Sequence, residues 1–87
     1  MFSMGLSRDT LQVIERERHE YERALRTRTE ARELIGRLCA QWDAADPDEQ
    51  AVYELAIAGA ERDMLAASDA ARDALARAER ARISGRS

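Results

Sequence analysis

Lysine is absent from this 87-residue sequence, and cysteine, proline and histidine occur once each. Each scarcity removes a class of function. All 14 basic residues are arginine, and they are outnumbered by 17 acids, for a net charge of -3. A nucleic-acid binder normally carries a basic patch large enough to displace counterions, so no nucleic-acid partner is expected. With Cys39 alone there is no internal disulfide, and a reducing cytoplasm is the default compartment. Cys39 also has no second cysteine or nearby histidine with which to hold zinc or act as a thiol catalyst, and reads as a small buried apolar residue. His19 lies between Glu15, Arg16, Glu22 and Arg23, an outward and solvated position. A di-iron bundle would need a glutamate three residues before it, where Arg16 stands. One histidine leaves no parts for a Ser/His/Asp set, and no glycine-rich phosphate loop is present. No run approaches the roughly 20 apolar residues that cross a bilayer. Met1 to Leu6 lack a basic stretch followed by an apolar one, so no signal peptide is read there. These absences predict a soluble cytoplasmic chain that is not an enzyme, with no cofactor, metal, membrane or small-molecule substrate.

What is present is helix-forming. Apolar residues make up 45%, yet 17 of them are alanine, so any core is thin. The joint abundance of arginine and alanine suggests a GC-rich bacterial or phage genome. Ser7 is a suitable N-cap, with Asp9 in the first turn. Asp46-Pro47-Asp48-Glu49 is a stronger start signal, with a cap, a proline at the first helical position and an acid three residues after the cap. The expectation is one all-α domain over 1–87: helix one over about 7–43, a turn at 44–46, helix two over about 47–83 and a frayed tail at 84–87. A linker this short makes the helices antiparallel neighbours. No segment alternates apolar and polar residues as a strand would.

Positions spaced alternately three and four apart along helix one read Leu11, Ile14, Arg18, Tyr21, Leu25, Arg28, Arg32, Ile35, Cys39 and Trp42. On helix two they read Tyr53, Ile57, Ala60, Met64, Ala67, Ala71, Ala74, Ala78 and Ala81. Both are seven-residue repeats of the coiled-coil kind, and folding at the turn predicts facing residues whose numbers sum to about 92. Ile35 then faces Ile57, Leu25 faces Ala67, Tyr21 faces Ala71, Ile14 faces Ala78 and Leu11 faces Ala81. Large residues of helix one against alanines of helix two allow a close approach, to about 8 Å between axes. Arg18, Arg28 and Arg32 fall in this stripe. Their stems can cover apolar neighbours while the heads reach acids such as Asp63, or the three can converge on an anion.

Beside the seam, Glu15, Glu22, Thr29 and Gly36 with Leu75, Ser68, Glu61 and Glu54 form a flank read as solvated. The opposite flank is read as the partner or dimer interface. Helix one contributes Val13, Ala24, Ala31, Leu34 and Leu38, and helix two contributes Val52, Ala56, Ala66 and Ala70. Trp42 and Leu55 widen that band near the turn. A band of this kind is expected to be buried by dimerisation into a four-helix bundle or by docking on another protein.

Length, hairpin form and Trp42 just before the turn resemble the small helical-hairpin proteins of type VII secretion. Their Trp-x-Gly turn is Trp42-Asp43-Ala44 here, and their Tyr-x-x-x-acid signal is missing, so the resemblance covers shape and no family is assigned. The function expected is that of a non-catalytic interaction module, such as a small phage or bacterial inhibitor or adaptor that binds a host protein complex through a helical face. The alternatives are a self-assembling structural protein and a small helical enzyme or anion binder built on the seam arginines.

Overall fold

Ser7 opens the first helix in extended geometry (φ -63°, ψ 160°), and its side-chain oxygen accepts the Thr10 N–H at 3.1 Å. In a computed structural model that describes residues 7–85, α1 spans Arg8–Ala44 and α2 spans Pro47–Ser84. Ala45 and Asp46 between them are both extended, as the ring of Pro47 requires of the residue before it. Pro47 begins α2, although the Asp46 side chain makes no capping hydrogen bond. Ser84, expected in the tail, is the last residue of α2, and the Gly85 N–H donates to the Ala81 carbonyl at 2.9 Å. The readings of Met1 to Leu6 as no signal peptide and of Arg86 and Ser87 as tail lie outside the described residues.

The helices pack antiparallel into an all-α hairpin, elongated enough that its radius of gyration is 19.6 Å against about 12 Å for a compact domain of this length. On α2 the shielded positions form the row expected from the repeat, Tyr53 through Ala81, extended by Gln50 and Gly85. The row on α1 differs. It runs Thr10, Ile14, Glu17, Tyr21, Ala24, Arg28, Ala31, Ile35, Leu38 and Trp42. Half of these were expected. At the other half the more shielded residue is the preceding one: Thr10 replaces Leu11, Glu17 replaces Arg18, Ala24 lies deeper than the half-buried Leu25, Ala31 replaces Arg32 and Leu38 replaces Cys39. Leu11, Arg18, Arg32 and Cys39 are exposed. The contact line on α1 is therefore turned by about 50° from the stripe of its largest residues, since one position is 100°. The reason is steric. Ala24 and Ala31 let the α1 backbone lie against the alanines of α2, which Leu25 and Arg32 in the same line would prevent.

The register differs as well. The two shielded rows coincide when facing residues sum to about 95, and side-chain contacts at both ends agree with it. A Cβ on Gly85 would come within 2.7 Å of Thr10 Cγ2, and Trp42 bonds Glu54. Tyr21 thus lies level with Ala74 rather than Ala71, Ile14 with Ala81 rather than Ala78, and Ile35 with Ala60 rather than Ile57. Leu25 and Leu11, paired with Ala67 and Ala81 in the sequence reading, lie beside the contact line. The cause is the extended linker, which carries the chain outward so that α2 begins about one turn, or ~6 Å, beyond the end of α1.

The core is almost entirely alanine. Ala24, Ala31, Ala60, Ala67, Ala71 and Ala74 are buried, together with Glu17, and no large side chain among the described residues is fully enclosed. Ala74 has no exposed surface, so Ala74→Leu has no space to enter and is expected to destabilise the hairpin by about 1–3 kcal/mol. At Gly36, by contrast, an added Cβ meets nothing within 4 Å, and Gly36→Ala is expected to stabilise by about 0.4–1 kcal/mol through the unfolded chain. Thermal melts followed by circular dichroism should move in opposite directions for the two variants.

Candidate interaction surface

Because the contact line runs along small residues, the two flanks of the hairpin are unlike each other. One flank, here the alanine face, carries Val13 and Leu34 from α1 and Ala56, Ala66 and Ala70 from α2. A groove of about 420 Å³ runs along it, floored by Ala24, Ala66, Ala67 and Ala70 and rimmed by Glu20, Arg23, Asp63 and Arg77. Of the residues expected on this flank, Ala24 and Ala31 are buried in the seam instead, and Leu38 and Trp42 are half-buried members of it. Those four already pack within the hairpin. Leu34 is 39% exposed at the edge, and Val52 lies further out. Leu55, 77% exposed, stands on the outer side of α2, away from both the seam and the band it was expected to widen.

The other flank, expected to be solvated, holds the bulkier apolar surface. Leu11, Leu65 and Leu75 are exposed there, and Leu25 is half-buried. Ile14, Tyr21, Ile35 and Trp42 of α1 and Ile57 and Met64 of α2 belong to the seam but lean towards this side, and each is only half-buried. Two open grooves lie on it. One, about 320 Å³, is bounded by Ile14, Tyr21, Leu75 and Arg82 among others, and the second, about 380 Å³, by Cys39, Trp42, Asp43, Glu54 and Ile57. Cys39 is exposed, which corrects its reading as a buried apolar residue. The signal for this leucine face was in the sequence, because Leu11, Ile14, Tyr21 and Leu25 formed the stripe assigned to the seam.

The three arginines considered for anion binding do not converge. Arg18 is exposed and bonded to Glu15 on its own helix. That bond holds the Glu15 carboxyl below the ordinary carboxylate range and raises Arg18 in turn. Arg32 is exposed, and Arg28 is half-buried in the seam. Arg18 and Arg28 stand about 15 Å apart along the helix, at 1.5 Å per residue. His19 is exposed, 3.6 Å from Glu15. Among the described residues there is no group of acids, histidines or cysteines placed to hold a metal, and no helix is long and apolar enough to cross a membrane.

Polar contacts at two places that the sequence reading did not single out tie the helices together. Glu17, 8% exposed in the seam, accepts the Arg77 Nε–H at 3.0 Å, and it has room because its level on α2 is Ala78. At the turn the Trp42 indole N–H donates to Glu54 at 3.0 Å, while the Gln50 amide donates to the Trp42 carbonyl at 3.0 Å and so caps the end of α1. Helical periodicity finds neither, since each depends on the register across the hairpin. The chain matches no protein family, no curated protein and no solved structure.

The Glu17–Arg77 pair is asymmetric in burial, because the Arg77 side chain is 46% exposed and that of Glu17 only 10%. Arg77→Ala leaves a buried carboxylate without its partner, and is expected to cost about 1–3 kcal/mol. Glu17→Ala removes the buried charge, returns Arg77 to water and continues the alanine row, so its expected effect is under about 1 kcal/mol. Urea denaturation of the two variants measures the difference. Equal losses would show that the pair acts mainly through its mutual attraction.

Proposed function

We propose that this chain is a non-catalytic protein–protein interaction module, the kind of part with which a small phage or bacterial inhibitor or adaptor engages a host protein complex through a helical face. One observation carries the reading: the largest apolar residues, Ile14, Tyr21, Leu25, Ile35, Trp42, Ile57 and Met64, are half-buried along one flank, beside exposed Leu11, Leu65 and Leu75. Apolar surface left open in this way gains by being covered, at roughly 25 cal/mol per Å². The anion-binding alternative loses its geometric support with the separation of Arg18 from Arg28 and Arg32. The cytoplasm remains the proposed location. Self-assembly is the reading that competes, since the same open face can be covered by a second hairpin to make a four-helix bundle.

Affinity capture from the native host tests the module, comparing the wild-type chain with Leu65→Glu/Leu75→Glu. Both leucines project away from the seam, so helicity by circular dichroism should match the wild type. A protein enriched by the wild type and lost with the variant is the expected result. Equal enrichment by both would move the contact to another surface, and recovery of this chain alone would leave self-assembly as the function.

A further inference from the structure

We propose that the leucine face is closed by a second copy of this chain, related by a two-fold axis parallel to the helices, so that α1 of each copy lies along α2 of the other. The inference rests on the reading of the leucine face as an interaction surface and names a second copy, the self-assembling alternative, as what covers it. Its first support is direction. In a two-helix contact the largest side chains point at the other helix, whereas in a four-helix bundle they point between two neighbours, at the common axis. On α1 the stripe of Leu11, Ile14, Tyr21 and Leu25 is turned by about 50° from the line to α2, at 100° per residue. That offset aims it at the centre of such a bundle.

Area is the second support. The accessible surface is 6559 Å², against about 5,200 Å² for a compact monomer of 9.8 kDa, so the hairpin carries an excess of about 1,400 Å². A standard interface removes about 800 Å² from each partner. The surplus suffices.

Charge is compatible with a second copy as the occupant and favours one orientation of it. With the axis parallel to the helices, residues at one level on α1 meet the same level on α2 of the second copy. Arg18 then lies within a turn of Glu79, Glu22 by Arg72 and Arg32 by Glu61, opposite in sign, while Glu15 falls between Glu79 and Arg82. Such pairs fix orientation, and like charges set in their place oppose association. Reversing one hairpin about Leu25 would instead bring Arg18 onto Arg32 and Glu61 onto Glu79 of the second copy. The alanine face is a poorer candidate because its floor is alanine, which offers less apolar area to cover than the leucines do.

Two charge-reversed chains test this arrangement: Arg18→Glu with Arg32→Glu, and Glu61→Arg with Glu79→Arg. Each alone sets like charges across both copies of the interface. Light scattering coupled to gel filtration should give a dimer for the wild type at micromolar concentration, monomers for each variant, and a dimer again for their equimolar mixture. Circular dichroism of the separate variants should show wild-type helicity. Recovery on mixing requires opposite charges to face each other across the contact between two folded copies, which simple unfolding does not supply. A wild type that stays monomeric throughout that range overturns the proposal, as do variants that dimerise unaided or a mixture that stays monomeric. Loss of the dimer in Ala66→Glu/Ala70→Glu with none in the charge variants would assign the interface to the alanine face. A monomeric wild type that still captures a host protein through Leu65 and Leu75 would refute the second copy and leave the module standing. A dimer that captures nothing would do the reverse.

Discussion

Two helices touch along a single line, and that line can be dry only if it is narrow. Alanine is what makes it narrow here. With Ala24 and Ala31 on one helix and Ala60, Ala67, Ala71 and Ala74 on the other, the backbones approach closely enough to exclude water between them. Larger side chains cannot share that line and are displaced to its edges, where water reaches one side of each. The alanine seam and the exposed leucine face are thus one consequence of one constraint. Burial of alanines alone is a modest source of stability, so the hairpin relies on helix propensity, on capping by Ser7 and Gln50 and on a few polar contacts to hold its form.

A seam of alanines is also poor at choosing its own register. Ala67, Ala71, Ala74, Ala78 and Ala81 repeat so regularly that a slip of one heptad leaves alanine still facing α1. What breaks the degeneracy is polar or geometric. The two-residue linker limits how far α2 can slide, the indole of Trp42 and the amide of Gln50 fix the turn end, and Thr10 against Gly85 fixes the other. Glu17 and Arg77 mark the level in between. The Arg–Glu and Arg–Asp pairs within each helix, Arg18–Glu15 and Arg72–Asp69 for example, are exposed and leave the register open.

The helix ends were legible because capping chemistry is local: Ser7 and the Asp46-Pro47 step place the starts to the residue, and the α1 end falls one residue past its expected position. The α2 seam was legible because its heptad row is nearly unbroken alanine, with no competing stripe of large residues. On α1 two rows compete. The reading favoured hydrophobicity and took Leu11 and Leu25, while packing favoured small size and took Ala24 and Ala31; Leu38 in place of Cys39 follows from the same rotation and not from size. That choice also placed Ala24 and Ala31 on an outer flank, where the structure buries them in the seam, and read as solvated the side on which Leu65 and Leu75 are exposed. The register error came from counting residues through the linker as a compact turn, when Ala45 and Asp46 are extended and advance further along the axis. Glu17 was illegible for a different reason. Nothing in its own sequence neighbourhood marks a buried acid, and only Arg77, sixty positions away, makes that burial tolerable.

The misreading of α1 itself carries physical content. Had the sequence been shaped for two helices alone, hydrophobicity and burial would coincide, as they do on α2. On α1 they part at Leu11, exposed where Thr10 is shielded, and at Leu25, which lies further out than Ala24. Over Leu11, Ile14, Tyr21 and Leu25, α2 therefore lies beside the apolar stripe of α1 rather than in front of it. The same side of α2 carries Ile57, Met64, Leu65 and Leu75, so the two helices lean their large residues towards a common outside line. A surface built in this way has the geometry of half a core, and the free energy of covering it rises with every half-buried residue along that line.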